Sequence, residues 1–323
     1  MGQLTDTKAY DRLPASASGK VGKNVWELSQ QSAGIGIHFK TNSPSIKVQW
    51  ATKNFDYSIK TIPLTAIKGV DLYCKIDGRW QFVSVAGGSR ARLNAEILFE
   101  GGEATMKEYI LNLPLHCTTE EVQIGVKKGF EISMADDKIT KKKSIVIYGT
   151  SITQGAAVSR PGMAYPSQLA RAFNSNVINL GFSGHGTYDP AMAPFILSAD
   201  PKVVVLDCTP NSSPEVIEKN LAALVNALKG NNKDLPILII ESALRADASI
   251  KPNVKKEVNA QNDILRTEYE KLLKNGMKEL YYLPVNELQG SDGEGTVDGL
   301  HPSDLGSYRI HERVKKELEK IIK

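Results

Sequence analysis

The sequence predicts an α/β protein: a doubly wound parallel sheet of five strands, preceded by an antiparallel β-sandwich. Three observations predict it. Before about residue 140, apolar residues alternate with a period of two, as in strands buried on one face. After residue 143, short continuous apolar runs alternate with helical patterns, the mark of strands covered on both faces of a parallel sheet. The early strands follow one another without intervening helices, which points to an antiparallel sandwich. The expected division is residues 1–140 for the sandwich and 141–323 for the doubly wound domain.

In chain order, Ile35, Ile37 and Phe39 alternate in GIGIHFKT, and Ile46, Val48 and Trp50 alternate in SIKVQWAT. VDLYCKIDGRWQFVSV holds Asp77-Gly78 between two strand-like runs, a hairpin signal because both residues tolerate positive φ. Met106 to Leu113 and Val122 to Val126 complete the early set, with turns at Asn42-Ser43-Pro44, Gly87-Gly88 and Gly101-Gly102. The later strands are Ser144 to Tyr148, Asn176 to Leu180, Val203 to Asp207, Pro236 to Glu241 and Leu280 to Leu283. Helical patterns span Ala164 to Asn174, Pro190 to Ser198, Pro214 to Leu228 and Lys255 to Lys274, and a last one follows Ser303. In such a sheet the ligand crevice lies outside the carboxyl ends of the strands.

Composition narrows the function classes. The chain has 323 residues, 41% hydrophobic and 24% charged, with a net charge of +4. That is ordinary for a globular protein, and the small basic surplus does not imply nucleic acid. The run Lys138 to Lys143 reads as a solvated linker before a strand. No apolar run reaches the ~18 residues of an integral membrane segment. Cys74, Cys117 and Cys208 form no CxxC pair and are odd in number, so free buried thiols are expected, not a zinc site or a disulfide framework. No metal or organic cofactor is implied.

Four segments carry candidate chemistry, and three of them follow predicted strands. In IVIYGTSITQG, small residues permit a tight turn that would lift the Ser151 hydroxyl into the crevice; a helix-capping serine is the alternative. In VINLGFSGHG, Gly181, Gly184 and Gly186 follow a strand with spacing GxxGxG, which is not the dinucleotide fingerprint. A backbone N–H offered to an oxyanion and a plain turn both fit. In VVVLDCTPNSSPE, the Asn211 amide is a donor of the right kind, or the start of an Asx-turn. In TVDGLHPSDLG, Asp298 and His301 stand three apart, as a base and the carboxylate that fixes its tautomer, or as a surface loop. A serine, two oxyanion donors and an Asp/His pair at one sheet edge are the parts needed for acyl transfer.

These four segments resemble the sequence blocks of the SGNH (GDSL-like) hydrolase superfamily, over about residues 144–323. The resemblance implies a flavodoxin-like domain in which Ser151 is the nucleophile, His301 the base and Asp298 its partner. It makes Ser151 N–H, Gly184 and Asn211 the oxyanion hole. The chain departs from the commoner pattern at Thr150, where GDS blocks have Asp, and at Pro210 and Ser212 around Asn211. KGVDLYCKIDGRW resembles the GxDLY signature, here Gly69 to Tyr73, of a β-domain that precedes one subgroup of these esterases, and SRPGMAYP also resembles that subgroup.

The resemblance implies a serine esterase that cleaves carboxylic esters through an acyl-enzyme, with a small-molecule or glycan ester as substrate. Deacetylation of acylated carbohydrates is the favoured case. Arg160 and His185 flank the expected pocket in sequence and are candidates for substrate binding, or for bracing their loops. Two alternatives stay open: a glycan-binding protein with an inactive hydrolase domain, and an acyltransferase with the same triad. A periplasmic or secreted protein whose leader has been removed is expected, a cytoplasmic one remaining open. The sequence does not fix the oligomeric state.

Overall fold

The computed structural model describes residues 1–4, 6–53, 60–135, 142–285 and 288–322. Most of the basic run, Lys138 to Lys141, and the expected boundary at residue 140 lie outside the described residues.

The chain opens with a segment carrying α1 (Lys23–Ser29) and then forms β1 (Gly36–Thr41), β2 (Ile46–Thr52), the short α2 (Leu64–Ile67), β3 (Val70–Ile76) and β4 (Arg79–Ala86). β5 (Leu93–Phe99), β6 (Lys107–Asn112), β7 (Thr119–Val126) and β8 (Ile132–Met134) follow. All pairings are antiparallel, in one sheet of order β4-β3-β6-β1-β8 and one of order β5-β2-β7. Ile46, Val48 and Trp50 of β2 meet Leu72, Cys74 and Leu111 of the other sheet in a shared core. Trp50 is wholly buried, and its indole N–H donates to Lys68 O at 2.8 Å, so its one polar atom is satisfied.

β5 has no counterpart among the sequence-predicted strands, for a physical reason. Its apolar Leu93 and Ile97 face solvent, while Asn94 and Leu98 point inward. The polarity rule is inverted at three of its positions, so the expected alternation is absent. β8, α1 and α2 are short and also unforeseen.

The second half contains β9 (Ser144–Gly149), α3 (Ser151–Gln154), α4 (Tyr165–Phe173), β10 (Val177–Gly181) and α5 (Ala193–Ser198). It continues with β11 (Pro201–Asp207), α6 (Pro214–Lys229), β12 (Ile237–Ile240), α7 (Pro252–Lys274), β13 (Leu280–Leu283) and α8 (Asp304–Ile321). α7 starts three residues before the sequence expectation, with Pro252 at its first position, where the missing N–H costs nothing. The five strands are parallel in the order β10-β9-β11-β12-β13. Chain order reverses on either side of β9, which opens a crevice at its carboxyl end. Alternate residues serve opposite faces. Val146 and Tyr148 pack towards Ile217 and Leu224 of α6 and Leu265 of α7, whereas Ile145 and Ile147 pack towards Leu169 of α4 and Ile310 and Val314 of α8. Each such fully buried side chain contributes roughly 1.5–3 kcal/mol.

The opening segment sends Tyr10 against the sandwich core but most of its apolar side chains elsewhere. Leu4, Leu13, Ala17, Val21 and Val25 enter the core of the parallel sheet on its α6 and α7 side. Among the described residues no helix is long and apolar enough to cross a membrane. Cys74, Cys117 and Cys208 are buried free thiols, as the sequence suggests.

Candidate active site

The crevice at the carboxyl end of β9 gathers all four segments. The turn from β9 into α3 passes through Thr150, whose hydroxyl accepts from Ile152 N–H at 3.2 Å and caps the helix. Capping therefore belongs to Thr150, at the position where GDS blocks carry Asp. Ser151, the first residue of α3, keeps its hydroxyl for other work, and its N–H is among the first-turn donors without an intrahelical acceptor. Ser151 Oγ lies 3.0 Å from His301 Nε2.

His301 comes from the loop before α8. Its Nδ1 lies 2.7 Å from Asp298 Oδ2, and its N–H donates to Asp298 Oδ1 at 2.8 Å. Leu300 N–H donates to the same oxygen at 3.1 Å. Asp298 thus folds its own turn with one oxygen and fixes the imidazole with the other. The side chains of His301 and Asp298 are 25% and 27% exposed, so solvent reaches this edge of the site. Burial pushes the Asp298 carboxyl up, but the hydrogen bonds from His301 and Leu300, with the imidazole charge, outweigh it and hold the group below its ordinary value.

Two further loops close round the serine. Gly186 packs on the end of β9 so tightly that a Cβ there would stand 1.9 Å from Gly149 O, which requires glycine. Gly184 has φ +74° and faces open space. Asn211 ends a short turn, Thr209–Asn211, held by Thr209 Oγ1, which donates to Ile240 O at 2.6 Å. With its amide oxygen turned towards the donors, Asn211 accepts from Gly184 N–H at 3.2 Å and His185 N–H at 3.3 Å. Its NH2 is then directed away from that loop. Gly184 and Asn211 are therefore neighbours, though 27 residues apart in sequence.

The two flanking candidates are placed differently. The Arg160 guanidinium stacks over Phe82 at 4.0 Å, and its Nε lies 3.8 Å from Asp71 Oδ2, so it faces β3 and β4. His185 Nε2 lies 3.1 Å from Asn24 Nδ2 of α1. Each thus contacts a residue of the N-terminal half.

The GxDLY and SRPGM segments meet each other. Asp71, fully buried, accepts from Gly162 N–H at 2.7 Å and Asn112 Nδ2 at 2.8 Å. Burial pushes its carboxyl up against those bonds and the nearby Arg171 and Arg160. Tyr73 lies under the Arg171 guanidinium at 4.0 Å. A Cβ on Gly162 would stand 2.4 Å from the Tyr73 ring, so the close contact needs glycine.

Sequence reasoning gave no role to Asp207, Thr153 or Gln154. Asp207, buried at the end of β11, accepts from Thr153 Oγ1 at 2.7 Å and Tyr165 OH at 2.9 Å. Burial raises its carboxyl to about 6, against the pull of those two hydroxyls. It anchors the helix turn that carries Ser151. Its signal is an aspartate directly after the apolar run Val203 to Leu206.

The fold and this site define the class: an SGNH-type hydrolase fold with an N-terminal β-domain. The chain belongs to the GDSL-like lipase/acylhydrolase family, which matches residues 142–319, and residues 1–132 match the N-terminus of the SGNH-hydrolase-type esterases. The chain is 35% identical to a protein of Bacteroides ovatus named as a GDSL-like lipase, with a TM-score of 0.95, over 100% of this chain and 95% of that one. The fold is shared with the salicylyl-acyltransferase SsfX3 of a tetracycline biosynthetic pathway (18% identity, TM-score 0.76, 96% and 89% covered). It is also shared with a family two carbohydrate esterase of Clostridium thermocellum (14%, TM-score 0.59, 89% and 92% covered). No curated protein matches the chain.

Proposed function

We propose that the protein is a serine esterase in which Ser151 attacks the ester carbonyl while His301 takes its proton. The observation that carries this reading is the continuous relay from Ser151 Oγ to His301 Nε2 at 3.0 Å and from His301 Nδ1 to Asp298 Oδ2 at 2.7 Å. An ionised Asp298 requires Nδ1 to carry the ring proton, which leaves the Nε2 lone pair for the Ser151 hydroxyl. The tetrahedral oxyanion is stabilised by Ser151 N–H, Gly184 N–H and the Asn211 NH2. The 3.2 Å contact between Gly184 N–H and Asn211 Oδ1 is long, and the donor gains by turning to a charged oxygen. His301 then protonates the leaving alcohol, and water reverses the steps to release the acid.

Hydrolysis is favoured over transfer by the partial exposure of His301 and Asp298, which admits water to the acyl-enzyme. For the substrate we propose acylated, foremost acetylated, carbohydrates, which suit an exported protein. The support is analogy: the fold is that of a carbohydrate esterase, and an open, partly wet edge suits a polar alcohol. Residues 1–140 and 141–323 are proposed as the two domains.

Ser151→Ala and His301→Ala should each reduce hydrolysis of p-nitrophenyl acetate by at least about 10³-fold with an unchanged melting temperature. Near wild-type turnover by either variant refutes the reading. Acetate release from acetylated xylan, with product analysis for transfer to added sugars, tests the substrate class.

A further inference from the structure

Gln154 lies at the end of α3, three residues after Ser151, and is completely buried. Its side chain joins three parts of the molecule. Oε1 accepts from Ser183 N–H at 3.0 Å and Ser183 Oγ at 2.9 Å. Ser183 directly precedes Gly184, so this carboxamide oxygen fixes the peptide leading into the proposed oxyanion donor. Nε2 donates to Leu115 O at 3.0 Å and to Gln31 Oε1, and lies 3.2 Å from His116 Nδ1. Those three partners all come from the N-terminal half. His116 is buried, which pushes its pKa to about 4, so the neutral ring packs against the amide, whose two hydrogens serve Leu115 O and Gln31 Oε1.

A second contact converges on the same loop. Arg12, buried with no carboxylate partner among the described residues, donates to the carbonyls of Leu28 (2.7 Å) and Gln31 (2.8 Å) on its own side. On the other side it reaches Gly181 O and lies 4.7 Å from the Phe182 ring. Both ends of the 181–183 segment are therefore held by residues whose anchors lie outside the parallel sheet.

Resting on the esterase reading above, we propose that Gln154 is a positioning residue that makes the N-terminal half a structural part of the oxyanion hole. It sets the place of Gly184 through Ser183, while Gln31, Leu115 and His116 orient its amide. An amide is the right group because the two sides make opposite demands, an acceptor towards Ser183 and a donor towards Leu115 O. An apolar isostere leaves Ser183 N–H without its acceptor, and a loop displaced by about 1 Å is enough to cost on the order of 10² in rate.

The test uses the full-length protein with Gln154→Met, near-isosteric and apolar, and Gln31→Ala, which removes one N-terminal partner outside the core of the parallel sheet. For Gln154→Met the expected result is a fall in kcat on p-nitrophenyl acetate of about 10–100-fold with KM within about threefold. Inactivation by a fluorophosphonate, which also builds a tetrahedral adduct, should slow in parallel. Gln31→Ala should show the same pattern at about 2–10-fold, and it carries the test if Gln154→Met does not fold. In an Asn211→Ala background the Gln154→Met loss should shrink to under about fivefold, because both act on one oxyanion hole. A purely structural role predicts a lower melting temperature with unchanged kcat per folded molecule. That result, or full additivity with Asn211→Ala, overturns the proposal. An active wild type with an inert Ser151→Ala variant leaves the esterase reading standing whatever Gln154 does, whereas an inert wild type overturns both.

Discussion

Replacing Asp298 with Asn separates the two tasks of this side chain. Asn can keep the oxygen that accepts from His301 N–H (2.8 Å) and Leu300 N–H (3.1 Å), so the turn should persist. Its NH2 would then stand where Oδ2 now lies, 2.7 Å from His301 Nδ1. Two donors cannot share that contact, so Nδ1 must accept and the ring proton moves to Nε2. Nε2 then faces Ser151 Oγ with a hydrogen instead of a lone pair. In a buried protease triad the equivalent change costs about 10⁴ in kcat. Here Asp298 is 27% exposed, so water competes for the ring and relaxes the tautomer preference. The expected loss is about 10²–10³ in kcat on p-nitrophenyl acetate, with KM little changed. Because Asp298 is held below the ordinary aspartate value, wild-type activity should not fall through its protonation in the range where an ordinary aspartate titrates, but only at more acidic pH. Activity of Asp298→Asn within threefold of wild type across pH 6–9 would refute the reasoning.

Asn211→Ala should lower kcat by about 10²–10³ with little change in KM, measured by steady-state kinetics, since it removes one oxyanion donor and the acceptor for Gly184 N–H. Gly186→Ala should give inactive protein, because its Cβ would overlap Gly149 O at 1.9 Å; activity with p-nitrophenyl acetate reads this directly. Asp71→Ala should lower stability by about 2–4 kcal/mol in urea melts, as Gly162 N–H and the Asn112 amide lose a buried acceptor. Asp207, raised by burial from 3.8 to about 6, binds its proton more tightly in the folded state. Its contribution therefore favours folding below about pH 4 and is lost as pH rises through about 6, each tenfold gain in proton affinity on folding being worth about 1.4 kcal/mol. Asp207→Asn should then flatten the pH dependence of urea-melt stability between pH 4 and 6, whereas a curve of wild-type slope would count against this assignment.

The parallel sheet was legible because its strands are covered on both faces, so Ile145-Val146-Ile147 and Val203 to Leu206 need no alternation to be recognised. The sandwich was less legible where the polarity rule inverts: β5 turns Leu93 and Ile97 outward and Asn94 inward, and a two-residue period read as core placement misses it. Ser151, Gly184, Asn211, Asp298 and His301 were named from their blocks, and the structure brings them to one crevice. Arg160 and His185 were judged by nearness in sequence. Their side chains point to partners, Phe82 and Asn24, more than 75 residues away, which no local pattern encodes. Gln154 escaped for the same reason, since an uncharged amide at the end of SITQ shows nothing of the three segments it joins.

The relay at Ser151 is tested most directly by trapping the adduct. The full-length protein is treated with a fluorophosphonate, and the modified residue is located by peptide mass mapping. The account predicts one adduct, on Ser151, formed with complete loss of esterase activity and greatly slowed in His301→Ala. Labelling at another residue with loss of activity, or an unmodified Ser151 in an inactivated enzyme, would contradict it.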